Sequence, residues 1–181
     1  DDSSPDGTAE IVKQILAPSP LHLIERKAKA GIGSAYIAGF KKAIQLNADK
    51  IIQMDADLSH DPDDILRLLE LDADLVIGSR KIPGGETIGW GLIRKSMSAG
   101  AMWFSRLLLN LRPRDVTAGF RCFKRKVLEA IPLEDIKSNG YAFQEEMLYR
   151  TQKMGFSIAE VPVVFVDRRK GKSKLSKKDI F

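Results

Sequence analysis

Cysteine is nearly missing from this 181-residue chain, and Cys122 is the single one. One thiol cannot close a bridge within the chain, so a disulfide framework is excluded and a reducing compartment fits. Long apolar runs are missing too. No eighteen-residue uncharged apolar stretch occurs, which excludes a membrane-spanning helix within these residues. No signal-peptide pattern stands at the start, and no internal repeat is visible. What is present is ordinary: 44% apolar and 29% charged residues, which excludes disorder and a collagen-like fibre and predicts one domain over residues 1–181. Lys and Arg number 29 against 24 Asp and Glu, a net charge of +5. A pI near 9.3 points to an anionic partner without naming it. Residues 167–179 alone carry seven Lys or Arg and two Asp, which accounts for the whole excess.

The order of elements reads as helix and strand in alternation. A loop over residues 1–8 leads into a helix with Ile11, Val12, Ile15 and Leu16 on one stripe, ended by Pro18 and Pro20. Leu21–Ile24 is a short strand candidate, and Gly31 to Ser34 opens a helix that runs to about Leu46. Lys50 to Met54 reads as a buried strand stopping at Asp55, and Asp61-Pro62 starts a helix. Asp74 to Gly78 is another buried strand. Residues 81–91, with Pro83 and four glycines, form a long loop, and Leu92 to Leu111 a long helix, either core or interfacial. Phe120–Phe123, Lys126–Ala130, Ala142–Met154 and Ile158–Val166 complete the order as strand, helix, helix and strand. Pro162 puts the last strand near a sheet edge. The class predicted is α/β, doubly wound.

Chemistry concentrates at strand ends. Asp55-Ala56-Asp57 follows a buried strand, where open α/β sheets bind ligands. Two carboxylates there can hold a hard divalent cation that also touches a diphosphate. Two solvated acids feeding a helix are the plainer alternative, and a phosphatase with Asp55 as nucleophile is a rival. An EF-hand fails, because its sixth position would be His60 and its twelfth Leu66. Asp1 and Asp2 can accept hydrogen bonds from a base or ribose, or simply form a turn. Arg80, at the end of a strand, can bind phosphate or pair with one of the acids. Arg94 and Ser98, four apart on one helix face, make either a phosphate clamp or an ordinary exposed face. The basic run from Arg168 to Lys174 is a solvated segment, a lid on a diphosphate or a patch for anionic lipid. Nucleic acid fits poorly, since no aromatic residues are interleaved with these charges.

In order, these stretches resemble family-2 glycosyltransferases, and within them the dolichol-phosphate (polyprenyl-phosphate) mannose synthases. The stretches are Asp1 to Thr8, Gly31 to Tyr36, Met54 to His60, Asp74 to Arg80, Asp115 to Arg121, Gly140 to Gln144 and Ser173 to Ser176. The resemblance implies a GT-A, Rossmann-like fold with a mostly parallel sheet and flanking helices, and inverting transfer of mannose from GDP-mannose to dolichyl or polyprenyl phosphate. It implies Mg²⁺ or Mn²⁺ on Asp55 and Asp57, with Ser59 where some members have a Gln, and Ala56 beside the nucleotide. Asp2 or Asp1 matches the acid contacting the nucleoside, and Arg80, Arg168 and Lys174 match cations at the donor phosphates. Arg94, Ser98, Gln144 and Glu146 match groups at the acceptor, and Asp115 lies in a motif of unassigned role. Asp57 and Arg80 are the expected catalytic residues. The family's opening strand is missing ahead of Asp1, which stands inside a loop motif in place of a starting Met.

The mechanism implied needs no strong base, because the acceptor phosphate is already an anion. The barrier lies in charge developing on the departing diphosphate, which cations would neutralise. The lipid acceptor places the chain at the cytoplasmic face of a membrane, endoplasmic reticulum or plasma membrane. There it docks peripherally through Trp103, Phe104 and the basic run over residues 167–178, helped by a membrane-spanning partner or by C-terminal spans. The alternatives are a glucosyl- or N-acetylglucosaminyltransferase using a UDP-sugar, the Asp-x-Asp phosphatase, and a non-enzymatic binding module.

Overall fold

A computed structural model of the chain describes residues 1–15 and 21–167. The basic run from Arg168 onward, Lys174 included, lies outside the described residues, as does the Pro18–Pro20 stop. Among the described residues the helices are α1 (Thr8–Ile15), α2 (Ile32–Gln45), α3 (Asp64–Glu70), α4 (Leu92–Leu108), α5 (Arg125–Ala130) and α6 (Gly140–Lys153). The strands are β1 (Lys50–Gln53), β2 (Leu75–Ser79), β3 (Glu86–Ile88), β4 (Arg121–Lys124), β5 (Ile158–Pro162) and β6 (Val164–Val166).

The main sheet has the order β1-β4-β2-β5. β4 runs antiparallel to β1 and β2, and β5 runs parallel to β2. Three of the four strands therefore point the same way, and β4 opposes them from the interior of the sheet. All five residues of β2 are buried, as expected of a strand covered on both faces. Alternation divides its side chains between two cores. Leu75 and Ile77 join Phe40, Phe123, Phe143, Met147 and Leu148 under α2, α5 and α6, while Val76 joins Leu68, Phe120, Cys122 and Val161 under α3. β5 is an edge strand, which accommodates Pro162 at its end.

Four local expectations differ from the structure, the first being that the expected strand Ile158–Val166 is two strands, β5 in the main sheet and β6 in a second sheet, divided at Val163. Leu21–Ile24 is not a strand: the backbone bonds beside it, Asp1 N to Ile24 O and Arg26 N to Asp1 O, involve the single residue Asp1, which is not a ladder. The loop over 81–91 contains β3, which pairs in parallel with β6 in a separate two-stranded sheet. α3 begins at Asp64 rather than near Asp61, because Asp61 caps a turn with its carboxylate on Asp63 N.

α2 approaches α6 closely at its N-terminus. A Cβ on Gly33 would lie 2.8 Å from Ser138 O and 2.9 Å from the Phe143 ring, so only glycine fits there. α4 is different in kind. Met102 is its one buried residue, while Leu92, Ile93, Met97, Trp103, Phe104, Leu107 and Leu108 are all exposed. Of the two readings of this helix, the interfacial one matches that exposure.

Candidate functional site

The turn after β1 is built to present carboxylates. The Asp57 carboxylate accepts from Ser59 N at 3.1 Å, and Leu58 takes a left-handed backbone with φ 64°. Asp55 N donates to His60 Nδ1 at 3.3 Å, which leaves the ring proton on Nε2. Tyr36 Oη, on α2, donates to Asp55 Oδ1 at 2.8 Å. From the other side comes Gly119, where a Cβ would sit 3.6 Å from Asp55 Oδ2. The turn is tied to β6 by Val166 N donating to Ser59 O.

His60 is nearly buried, stacked on Phe120 at 5.0 Å and edge-on to Phe165 at 5.4 Å. Burial lowers its pKa, and Arg80 adds to this, against the opposing pull of Asp55 and Asp57. The imidazole is therefore neutral near pH 7. Burial and the Asp55 charge raise the Tyr36 pKa, so its hydroxyl keeps its proton and stays a donor.

Arg80 closes the end of β2. Its Nε and NH2 donate to the two Asp115 oxygens at 2.7 Å each, NH2 also reaches Thr117 Oγ1 at 3.0 Å, and its backbone N donates to Asp115 Oδ2 at 2.9 Å. The two side chains are 8% and 0% exposed. Burial alone would raise the Asp115 pKa, but Arg80 outweighs it and holds the carboxyl below its ordinary value. Arg80 is raised in turn, burial being overcome by the Asp115 bonds and charge. NH1 is the nitrogen that neither Asp115 nor Thr117 engages.

The loop carrying Asp115 is itself fixed. Glu160 accepts from Arg114 N and Asp115 N. Arg121, fully buried, donates to the carbonyls of Ala118, Val116 and Gln144. Burial pushes its pKa down to about 10.

An aromatic wall links this centre to α4. The Arg80 guanidinium lies 5.8 Å from the Trp90 ring and 5.5 Å from Phe165. Arg94 stacks on Trp90 at 3.9 Å and pairs with Asp167 at 2.8 Å. Ser98 lies one turn further along α4 and is half-buried.

Of the sequence candidates, Asp55, Ala56, Asp57 and Ser59 share one turn; Arg80 meets Phe165, on which His60 of that turn also packs, and Arg94 joins Arg80 through Trp90. Asp1 and Asp2 have local partners: Asp1 accepts from Ser4 N, and both Asp2 oxygens face Arg26, which also reaches Ser34. Gln144 is buried, its Oε1 without a hydrogen-bond partner among the described residues. Glu146, two positions on and thus across α6, pairs with Arg150 and accepts from Ser138. Tyr36, His60 and Arg121 were not singled out for function by the sequence reading. The one signal for Tyr36 was its place at the end of the Gly31-to-Tyr36 stretch.

The donor set suits a hard cation. Asp55 and Asp57 offer carboxylate oxygens, and Ser59 Oγ is buried with no hydrogen-bond partner among the described residues. No group of three or more His, Cys, Asp or Glu that could hold a metal occurs among them. Two carboxylates with the remaining positions left to water and phosphate is the Mg²⁺ or Mn²⁺ pattern.

The family model described as Glycosyl transferase family 2 matches residues 1–132. The undecaprenyl-phosphate mannosyltransferase of Micrococcus luteus is 45% identical over 97% of this chain and 74% of its own length. The polyprenol monophosphomannose synthase of Mycolicibacterium smegmatis is 42% identical over 99% of this chain and 70% of its own. Among solved structures, glucosyl-3-phosphoglycerate synthase from Mycobacterium tuberculosis with UDP superimposes with a TM-score of 0.64 at 18% identity, covering 96% of this chain and 60% of that one. Its complex with Mn²⁺ and UDP-glucose gives 0.61 at the same identity and coverage. At that identity the likeness concerns the fold alone, and it bears out the GT-A expectation.

Proposed function

From the premise that this chain belongs to glycosyltransferase family 2, we propose that it transfers mannose from GDP-mannose to a polyprenyl phosphate with inversion, using a divalent cation. The observation that carries this is the Asp55–Asp57 turn and a buried, pre-oriented Arg80 at the ends of β1 and β2, linked through Phe165, which meets both Arg80 and His60. The two mannosyltransferase relatives, matched over nearly the whole chain, support the sugar and the acceptor class.

In this reading Asp55 and Asp57, with Ser59, hold the cation, which when bound supplies positive charge to the donor diphosphate. Arg80 NH1 is directed at a donor phosphate because Asp115 and Thr117 fix the rest of the guanidinium. That pre-orientation means little reorganisation is needed as charge develops on the leaving group. Trp90, Phe165, Phe120 and His60 form an apolar wall that limits water on one side. Arg94 and Ser98 receive the acceptor phosphate, which attacks without a general base, and Arg168 and Lys174 add charge over the donor. Asp2 contacts the nucleoside, and Gln144 lies towards the acceptor. The exposed apolar face of α4, flanked by Arg94, Lys95 and Arg106, docks on the lipid surface that holds the acceptor, at the cytoplasmic face of the membrane. No helix among the described residues is long and apolar enough to cross a membrane.

Calorimetric titration of GDP and of UDP, with Mn²⁺ or Mg²⁺ and then with chelator, tests this. GDP binding tighter than UDP and lost on chelation is expected, with Asp57→Ala costing about 10²–10³ in turnover. A preference for UDP would overturn the mannosyl donor, and metal-independent binding would overturn the role of the carboxylate pair.

A further inference from the structure

Of the acids that would hold the cation, Asp55 is gripped at both its carboxylate and its backbone. Asp57 lies half-buried in the turn, and its carboxylate accepts from Ser59 N. Asp55 is oriented from a separate element, α2, and from further along its own loop. Tyr36 reaches it from α2, with its ring stacked on Phe143 at 5.7 Å and near Phe40 at 6.3 Å. His60 takes its backbone N–H, with the imidazole clamped between Phe120 and Phe165. Both partners are anchored by aromatic packing, so neither can follow the carboxylate if it moves.

We infer that Tyr36 and His60 are positioning residues that fix Asp55 as the rigid ligand of the cation site. Tyr36 sets the orientation of the carboxylate, and His60 sets the backbone from which it projects. Tyr36 acts as a donor to the carboxylate and His60 as an acceptor from the backbone N–H, so each fixes a different part of Asp55. Partners of this kind, one bond removed from a metal, typically contribute 10- to 100-fold in metal affinity. The inference rests on the cation reading above.

Three conservative variants test it. Tyr36→Phe keeps the ring stack and removes only the donor. His60→Phe keeps an aromatic between Phe120 and Phe165 and removes the acceptor, whereas His60→Asn places an amide oxygen near where Nδ1 stood. The probe is Mn²⁺ in the presence of GDP, followed by the electron paramagnetic resonance signal of free Mn²⁺ and, in parallel, by thermal midpoint. Tyr36→Phe and His60→Phe are expected to weaken Mn²⁺ binding about 10- to 100-fold, with midpoints within a few degrees of wild type. His60→Asn is expected to restore most of the affinity lost in His60→Phe. If wild type binds Mn²⁺ and both phenylalanine variants bind it equally well, the positioning role is overturned while the cation site stands. If affinity falls only in step with the midpoint, or His60→Asn restores nothing, the residues are merely structural. If wild type binds no Mn²⁺ with GDP, both this inference and the cation reading fall.

Discussion

Replacing Asp115 by Asn is a demanding test of how the site is built. The carboxylate is fully buried and accepts three hydrogen bonds from one residue, Arg80 Nε, NH2 and backbone N. Asn preserves shape and volume, so no cavity forms. It removes the charge and replaces one acceptor oxygen by an NH₂ that must face an N–H donor. The Arg80 guanidinium, 8% exposed, is left without its counter-ion, and breaking a buried pair in this way costs about 3–5 kcal/mol. For a domain of this size each kcal/mol moves the melting midpoint by about 2–4 °C, so a fall of about 6–20 °C is expected. Asp115 has a depressed pKa in the folded state. Its contribution is therefore full above the unfolded carboxylate value of about 3.9 and is lost as pH falls through the lower folded value. The gap between wild type and Asp115→Asn should close in strong acid.

Urea denaturation with both probes of fold and activity measures the effect. Should Asp115→Asn fail to fold, the double variant with Arg80→Met keeps the reasoning testable, because it removes the stranded charge as well. The double variant should be more stable than the sum of the two single losses predicts, by about 1–3 kcal/mol. A loss under 1 kcal/mol for Asp115→Asn, or strict additivity, would refute the view that this pair is a buried, mutually dependent unit.

Other sites give sharper local tests. Leu58 is 86% exposed and sits at φ 64°, so Leu58→Gly removes about 1–2 kcal/mol of left-handed strain against about 0.5–1 kcal/mol of added chain entropy; a midpoint at or slightly above wild type is expected, and a clear drop would show the strain argument to be wrong. Asp74 is held down to a pKa of about 2, first by Lys126 and also by Ser157 N; its stabilisation is present above about pH 4 and is lost towards pH 2, so Asp74→Asn should flatten that acid limb of the stability profile, and an unchanged limb would remove Asp74 from it. Trp103 and Phe104 are 65% and 60% exposed on α4; changing both to Glu should leave the midpoint unchanged and abolish flotation with anionic polyprenyl-phosphate liposomes, and unchanged flotation would count against docking through this helix.

What could be read from the sequence followed the range of the interactions involved. β1 and β2 were legible because short apolar runs ending in Asp55 or in Gly78-Ser79-Arg80 are a local pattern. The Asp55–Asp57 pair was legible for the same reason. The partner of Arg80 was not, since Asp115 is 35 positions away and nothing in the intervening residues links them. Tyr36 reaches Asp55 across 19 positions, a link that no local pattern carries. β3 was hidden because three residues show no periodicity, and it exists only through pairing with Val164–Val166. Leu21–Ile24 erred in the opposite direction: an apolar run resembles a strand, but a strand also needs a neighbour along its length. α4 showed the limit of composition, since the apolar content that suits a core helix is carried here by side chains facing outwards.

The charges in the site are held by unlike means, and this difference bears on function. Arg80 is fixed by an anion, so the Arg80–Asp115 pair contributes direction and hydrogen-bond donors but little net positive charge. Asp55 is fixed by hydrogen bonds to the Tyr36 hydroxyl and the His60 imidazole, not by a cation. In the proposed reading, a donor diphosphate at this turn would meet Arg80 donors already oriented but paired with Asp115, beside the Asp55 and Asp57 carboxylates. Within the described part of the site, a divalent cation on the carboxylates reconciles the two, since it adds the positive charge that Arg80 has already given to Asp115. Metal dependence, in this view, follows from the buried pairing of Arg80 as much as from the acids themselves.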